Sequence, residues 1–504
     1  MAARLSEKYV EGVSRVTQVT GAPDVRTLAM LDHLVVCLPE KPPEGAWRRL
    51  PQGTRLKALL KRRREGAVPA ATTRLANDRQ TAVSIGLLAK DADPFQQLTF
   101  ARKLIGAALG EKAVALGVGV LGFAPEEANA VAARLVAAAL AHGFTLADFK
   151  SKPKPAPIRS LRLVGLEQRL DLDRVLAEAR GNNLARWLTA LPANKLDARA
   201  YVELLEERAG RHGWQFRKYG VRELEKLGAG AFLAVAQGNA DENAAIVRLR
   251  YRPNAKSERP RLGLVGKGII FDTGGTNLKP FTAMSDMHID MGGSAVAVGT
   301  LLALSELRWP HAVDCWLAIT ENRTGPTAYK SQDVVTALNG KTVQAIHTDA
   351  EGRMVLADTL VLAGREKPRL IIDYATLTGA CITAVTSRYS GIFTNRPDLH
   401  PVLKRAGRDS GERVWPFPAG KEFREELESD TADISQCTPD SAGDHILAAT
   451  FLNEFVPEEI PWIHLDLAAA KRKGGLAHIP TDVTGFGVRY TLHLLLDAGI
   501  HALV

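Results

Sequence analysis

The chain has 504 residues, 46% of them apolar and 24% charged, with a formal net charge of +9. That length exceeds one ordinary hydrophobic core, so two domains are expected, and the composition excludes a disordered, collagenous or disulfide-stapled chain. The charge permits weak attraction to anionic surfaces without requiring nucleic acid, and no uncharged run is long enough to span a bilayer.

The first thirty residues carry charges throughout and lack the apolar stretch of a signal peptide, so no export signal is expected. Residues 1–167 read as a small α/β domain. HLVVCLPE (33–40) and AVSIGLL (82–88) are strand-like, and LIGAALG and PEEANAVAARLVAAALAHG are helical, the second with Glu126 and Glu127 at its start and Gly143 at its end. KRRR (61–64) is a basic run whose plain reading is a solvated helix end. KPKPAPI (152–158) resembles a linker, but RSLRLVGL (159–166) follows it as another strand. No catalytic motif stands in this part.

Residues 168–504 form the second domain. EQRLDLDRVLAEARGNNLARW (167–187) predicts a connecting helix with Gly181-Asn182 as its weak point. AAIVRLRY (244–251), RLGLVG (261–266), AVDCWLAIT (312–320) and the start of RLIIDYATLTGA (369–380) are strands. GGSAVAVGTLLALSEL (292–307) and GRMVLADTLVLAGRE (352–366) are helices. This alternation predicts an α/β fold with a mixed, largely parallel sheet flanked by helices. Cys37, Cys315, Cys381 and Cys437 stand far apart without CxxC spacing and read as reduced, buried thiols of a cytosolic protein.

The chemistry concentrates in two stretches. In residues 262–293 an apolar strand is expected to end at Gly266. Lys267, Asp272, Lys279 and Asp290 follow among Gly268, Gly274, Gly275, Gly292 and Gly293, as in a ligand-wrapping loop at a strand end. In AIHTDAEGR (345–353), an extended backbone would set Asp349, Glu351 and Arg353 on one face. Like-charged carboxylates repel unless a cation separates them. Four carboxylates suit two divalent metals. A salt-bridge cluster at a strand end is the simpler alternative.

VGKGIIFDTGGTNLKP, MHIDMGG and TDAEGR, in this order and spacing, resemble the signature of the leucyl (cytosol) aminopeptidases, two-metal peptidases. The resemblance is strong over the second domain and loose over the first. It implies that Asp272 and Glu351 bridge both metals, that Asp290 and a neutral Lys267 amine complete one site, and that Asp349 completes the other. It implies hydrolysis of N-terminal residues from peptides by a water or hydroxide bridging the metals, which are Mn2+, Zn2+ or Mg2+. Lys279 resembles the lysine that stabilises the oxyanion, and Arg353 the residue that holds a bicarbonate serving as general base. Thr376, Leu377 and Gly379 resemble the substrate-lining loop. A cytosolic homohexamer is implied, with the first domain in an oligomerisation or regulatory role. The sequence departs from the family at His347, where Asn is common, and in QCTPDSAGDHILAAT, usually glycine-rich, which here contains Asp444 and His445. Two other readings are a DNA-binding or regulatory member of the family, and a narrower dipeptidase acting on substrates such as Cys-Gly.

Overall fold

The structure, a computed structural model, describes Leu5, Tyr9 and residues 12–61, 66–110, 113–152, 157–240, 242–253, 259–440 and 442–500. Most of the basic run (Arg62–Arg64) and the centre of the proline-rich stretch (Pro153–Ala156) lie outside the described residues. The chain divides into two units.

The smaller unit holds Tyr9–Ala179 and Lys473–Asp482. Among the described residues its six strands are β1 (Arg15–Gln18), β2 (His33–Pro39), β3 (Ala71–Arg74), β4 (Ala82–Leu88), β5 (Ala115–Val120) and β6 (Ser160–Val164), in the order β1-β6-β5-β2-β4-β3. Only β3 runs antiparallel to its neighbour. The continuous apolar run of β2 fits its interior place, with parallel partners on both sides and both faces buried. Helix α1 (Pro94–Gly110) starts ten residues before the apolar LIGAALG that announces it. Its opening turn is polar, and a reciprocal cap fixes it: the Gln96 N–H donates to Asp93 Oδ1 and the Asp93 N–H to Gln96 Oε1, both at 2.8 Å. Helix α2 (Pro125–Gly143) begins on a proline with Glu126 and Glu127 in its first turn. The short segment Lys473–Asp482 belongs to this unit through Arg102, which donates to the Gly474 and Ile479 carbonyls.

The larger unit holds Arg180–Arg472 and the chain from Val483 onward. The division falls inside helix α3 (Asp173–Thr189), after Ala179, instead of ahead of it at 167/168. Gly181-Asn182 does not weaken α3. A Cβ at Gly181 would lie 2.3 Å from the Gly299 carbonyl oxygen, so this glycine is a close-packing position within the unit. Asn182 Nδ2 donates to the Thr484 and Gly485 carbonyls.

The larger sheet uses β7 (Gln215–Gly220), β8 (Ala245–Tyr251), β9 (Leu262–Asp272), β10 (Val313–Asn322), β13 (Leu370–Ala375), β14 (Ser390–Thr394), β15 (Val414–Pro416) and β17 (Trp462–Asp466). The short strands β11 (Val334–Thr336), β12 (Thr342–Gln344) and β16 (Ile434–Ser435) form a separate ribbon. The order of the main sheet is β15-β14-β17-β13-β9-β10-β8-β7. Its centre, β17-β13-β9-β10, is parallel, and antiparallel pairings lie outside it, so the sheet is mixed and largely parallel as expected. Helices α4 (Gly292–Glu306) and α5 (Glu351–Arg365) pack on β9, with Met354, Val355 and Leu356 in the core beside Val265, Ile269 and Trp316. The stretch Phe281–Glu306 is apolar and long enough to cross a membrane, yet 83% of its most apolar window is buried in the protein. It contains the core helix α4, whose small residues allow close approach to the sheet.

Two local expectations are corrected. Strand β9 does not stop at Gly266 but continues through Lys267 to Asp272, because GIIF is itself apolar and β-branched and pairs in parallel with Lys267–Ile269 opposite Ala318–Thr320. The pairing shifts only at its end, between Thr320 and Asn322, where Asp272 lies opposite Asn322. The segment 345–353 is not extended either: Glu351 opens α5, so Glu351 and Arg353 lie in the first turn of a helix.

Candidate metal centre

The carboxyl ends of parallel strands are where α/β sheets place their ligands. Here β9 delivers Lys267 and Asp272, and the turn after it returns Lys279. Gly274 and Gly275 take φ of 88° and 67° in that turn, and the Lys279 N–H donates to the Thr273 carbonyl at 2.9 Å. Asp290 stands just before α4, Asp349 in the loop before α5, and Glu351 at the first position of α5. Asp272, Asp290 and Glu351 each offer an oxygen such that all three lie within 4.8 Å of one another, and all three residues are buried. Two lysines are inserted among these carboxylates. Lys267 Nζ lies 2.9 Å from Asp290 Oδ2 and 2.8 Å from Glu351 Oε1, and donates to the Thr376 carbonyl at 3.1 Å. Lys279 Nζ lies 2.9 Å from Asp272 Oδ2 and also contacts Asp349. Gly352 is required beside Lys267: a Cβ there would lie 2.7 Å from Lys267 Cε.

The carboxylates crowd one another in a poorly solvated place. Burial, opposed by Lys267 and reinforced by Glu351 and Asp272, pushes the Asp290 carboxyl up to about 8. Burial with Glu351 and Asp272 pushes Asp349 up to about 7. Glu351 is raised by burial and by Asp272. For Lys267, burial disfavours the charge but Asp290, Glu351 and Asp272 more than offset it, so the ammonium persists. Lys279 is likewise held charged against burial, chiefly by Asp272. Asp290 Oδ2 and Asp349 Oδ1 are buried with no hydrogen-bond donor, only the ion pairs to lysine. Such under-satisfied anionic oxygens, without a thiol or imidazole among them, fit hard divalent cations.

A cation must displace the protons held on these carboxylates below about pH 7–8, and it gains Lys267 as a ligand only when that amine is neutral. Mn2+ affinity is therefore expected to rise with pH, by up to roughly tenfold per unit for each proton displaced. Calorimetric titration of metal-free protein at about pH 6 and about pH 8 checks this; equal affinities at the two values would contradict it.

The sequence reading left out several residues that hold the centre in shape. Asn322 Nδ2 donates to Asp272 Oδ1 at 2.8 Å and to the Thr348 carbonyl at 3.0 Å, and approaches Glu351 Oε2 at 3.4 Å. Tyr329 OH donates to the same Thr348 carbonyl at 2.9 Å. Gln436 fastens the loop that carries Asp349: its Oε1 accepts from the Ile346 and His347 N–H groups, and its Nε2 donates to the Ala350 carbonyl. His347 is exposed, and its Nδ1 accepts from the Asp349 N–H at 3.3 Å.

The candidate substrate loop follows β13. Thr376 Oγ1 donates to Asp290 Oδ1 at 2.7 Å. Leu377 packs partly against the core, and Gly379 opens the helix α6 (Gly379–Val385) in an exposed position. Asp466, at the end of β17, anchors this loop by accepting from the Leu377 N–H at 3.2 Å and from Thr378 Oγ1 at 2.7 Å. In the sequence its signal is a carboxylate that closes the apolar run of residues 461–466, PWIHLD. Arg353 is buried beside the centre. Its Nη2 donates to both oxygens of Asp444, at 2.7 and 2.8 Å, and its Nη1 to the Gln436 carbonyl at 3.1 Å. The guanidinium expected to hold bicarbonate is thus engaged by a carboxylate of the chain itself.

Comparison with known proteins agrees with this geometry. Residues 183–492 match the model of the cytosol aminopeptidase family, catalytic domain. A protein of Syntrophotalea carbinolica described as a "Probable cytosol aminopeptidase" is 42% identical over 316 residues, which span 62% of this chain and 63% of that protein. Among solved structures, a mutant of tomato leucine aminopeptidase matches with a TM-score of 0.83 at 26% identity, covering 97% of both chains. The bottromycin maturation enzyme BotP, in complex with Mn, matches with a TM-score of 0.79 at 30% identity, covering 92% of this chain and 98% of that one. With its catalytic-domain match across the carboxylate centre and the mixed sheet that carries it, the chain belongs to the cytosol aminopeptidase family of metal-dependent hydrolases.

Proposed function

We propose that the protein removes N-terminal residues from peptides, using a water activated between two divalent cations. The observation that carries this reading is the set of carboxylates Asp272, Asp290, Asp349 and Glu351 interleaved with Lys267 and Lys279 at the end of parallel strand β9. Asp272 and Glu351 would be shared by two cations, Asp290 and the Lys267 amine would complete one site, and Asp349 the other. When bound, such a pair polarises a scissile carbonyl and lowers the pKa of the attacking water. The oxygen-rich set with one amine accepts Mn2+, Zn2+ or Mg2+; Mn is the ion with which BotP was solved.

The chain's own groups supply the rest. Once cations neutralise its carboxylate partners, the Lys279 ammonium is available to stabilise the oxyanion that develops on the carbonyl. Thr376 orients Asp290 through its hydroxyl, and Asp466 fixes the turn from which Thr376, Leu377 and Gly379 face the substrate. We further propose a cytosolic homohexamer in which the smaller unit serves assembly or regulation. A DNA-binding role draws no support from this site.

A panel of aminoacyl amides and dipeptides, Cys-Gly among them, assayed with Mn2+ and with Zn2+, tests the reading and separates a broad aminopeptidase from a narrow dipeptidase. Each substrate is paired with its N-acetyl counterpart. Acetylation removes the lone pair with which a neutral α-amine would ligate one of the cations, so rates should fall by roughly 10² or more. Cleavage of acetylated substrates at comparable rates would make the protein an endopeptidase or amidase.

A further inference from the structure

Arg353 is only 1% exposed, and a guanidinium so buried requires an anion beside it. The chain supplies one. Asp444 stands directly after Gly443, a glycine in left-handed conformation, at the start of helix α7 (Asp444–Asn453). This places both of its carboxylate oxygens on Arg353 Nη2. The same segment is locked to the metal-ligand loop through Gln436, whose side chain holds residues 346–350 and whose carbonyl takes Arg353 Nη1. The pair adjoins the carboxylate centre: Arg353 stands two positions after Glu351 in the first turn of α5. A planar, singly charged carboxylate is also the shape that a free formate, acetate or bicarbonate would present to this guanidinium.

We propose that Asp444 is a built-in anion, a positioning residue that occupies the Arg353 subsite so that the enzyme works without any free carboxylate or carbonate. The proposal rests on the peptidase reading above. It departs from the bicarbonate that the family resemblance led us to expect on Arg353. Both carboxylate oxygens sit on Nη2 while Nε keeps no hydrogen-bond partner, and the side chain is held at an effective concentration that no dissolved anion reaches, so added anions compete poorly for this guanidinium.

The test uses the full-length, Mn2+-loaded protein in carbonate-depleted buffer, with Asp444→Ala and Asp444→Asn beside the wild type. The wild-type rate should not respond to formate or bicarbonate. Asp444→Ala should lose roughly tenfold or more in kcat and regain it saturably as either anion is added, because the truncated side chain leaves room for a small carboxylate. Asp444→Asn should lose activity without recovery, since the amide fills the space but carries no charge. In a second readout, formate should raise the melting temperature of metal-free Asp444→Ala and leave that of the wild type unchanged. Stimulation of the wild type by bicarbonate, or an Asp444→Ala enzyme at full rate in anion-free buffer, would overturn the proposal. If Asp444→Ala does not fold, the near-isosteric Asp444→Asn and the wild-type anion titration still decide. A wild type that cleaves no aminoacyl substrate would instead refute the peptidase reading, while the thermal-shift arm still tests the anion subsite.

Discussion

Chelation of the Mn2+-loaded protein is expected to bring aminoacyl-amide hydrolysis down to background, and added Mn2+ to restore it. The expectation follows from the charge balance of the centre. Four carboxylates and two ammonium groups share one buried region, and in the metal-free chain Lys267 and Lys279 pair with the carboxylates while Asp290 and Asp349 are pushed towards their protonated forms. In that state Lys279 is tied to Asp272 and Asp349 and is not free to meet an oxyanion, and no group remains to acidify a water. Loss of the cations therefore removes the nucleophile and disables the lysine together, an effect of several orders of magnitude. Sustained turnover by a preparation shown to be metal-free by mass spectrometry would refute the metallopeptidase reading. The fold itself should survive chelation, because the sheet core does not depend on the ions and the two lysines, together with protons taken up by Asp290 and Asp349, offset the charge they leave.

Lys279→Ala and Asp290→Ala should fail in different ways. Lys279 is proposed to stabilise charge that exists only in the transition state, so its removal should lower kcat by roughly 10²–10³ with a much smaller change in KM. Metal content should stay at the wild-type level, and affinity for Mn2+ should if anything increase, because a competing ammonium has left Asp272 and Asp349. Asp290 is a proposed ligand and also one of the two carboxylates that pair with buried Lys267. Its truncation should weaken one cation site, with partial rescue by excess Mn2+, and should also leave Lys267 less well compensated. Steady-state kinetics alongside metal analysis separates the two. Metal loss from Lys279→Ala, or a near-normal kcat, would show that the role assigned to it is wrong.

The sequence alone determined the elements whose reasons are local and the residues whose identity carries the chemistry. The apolar runs of β2, β4, β10 and β13 are buried strands because most of their side chains are apolar and the acidic exceptions, Asp314 and Asp373, find hydrogen-bond partners, and Pro125, Glu126 and Glu127 open a helix because a helix start favours them. The order and spacing of Lys267, Asp272, Lys279, Asp290, Asp349 and Glu351 carry the resemblance to the family and, through it, the metal chemistry it implies. Local reasoning failed where the deciding partner lies far along the chain. Strand β9 runs through Lys267 because β10, some fifty residues on, pairs with it. Gly181 sits in an unbroken helix because the Gly299 backbone packs against it. The segment Lys473–Asp482 joins the smaller unit because Arg102 holds its carbonyls. Asn322, Gln436 and Asp466 shape the centre through hydrogen bonds to backbone or carboxylates distant in sequence, and no spacing rule reveals such bonds. Only the tertiary structure decided that Asp444 meets Arg353. The two are ninety-one positions apart, and their contact exists because α7 and α5 pack together in the folded chain.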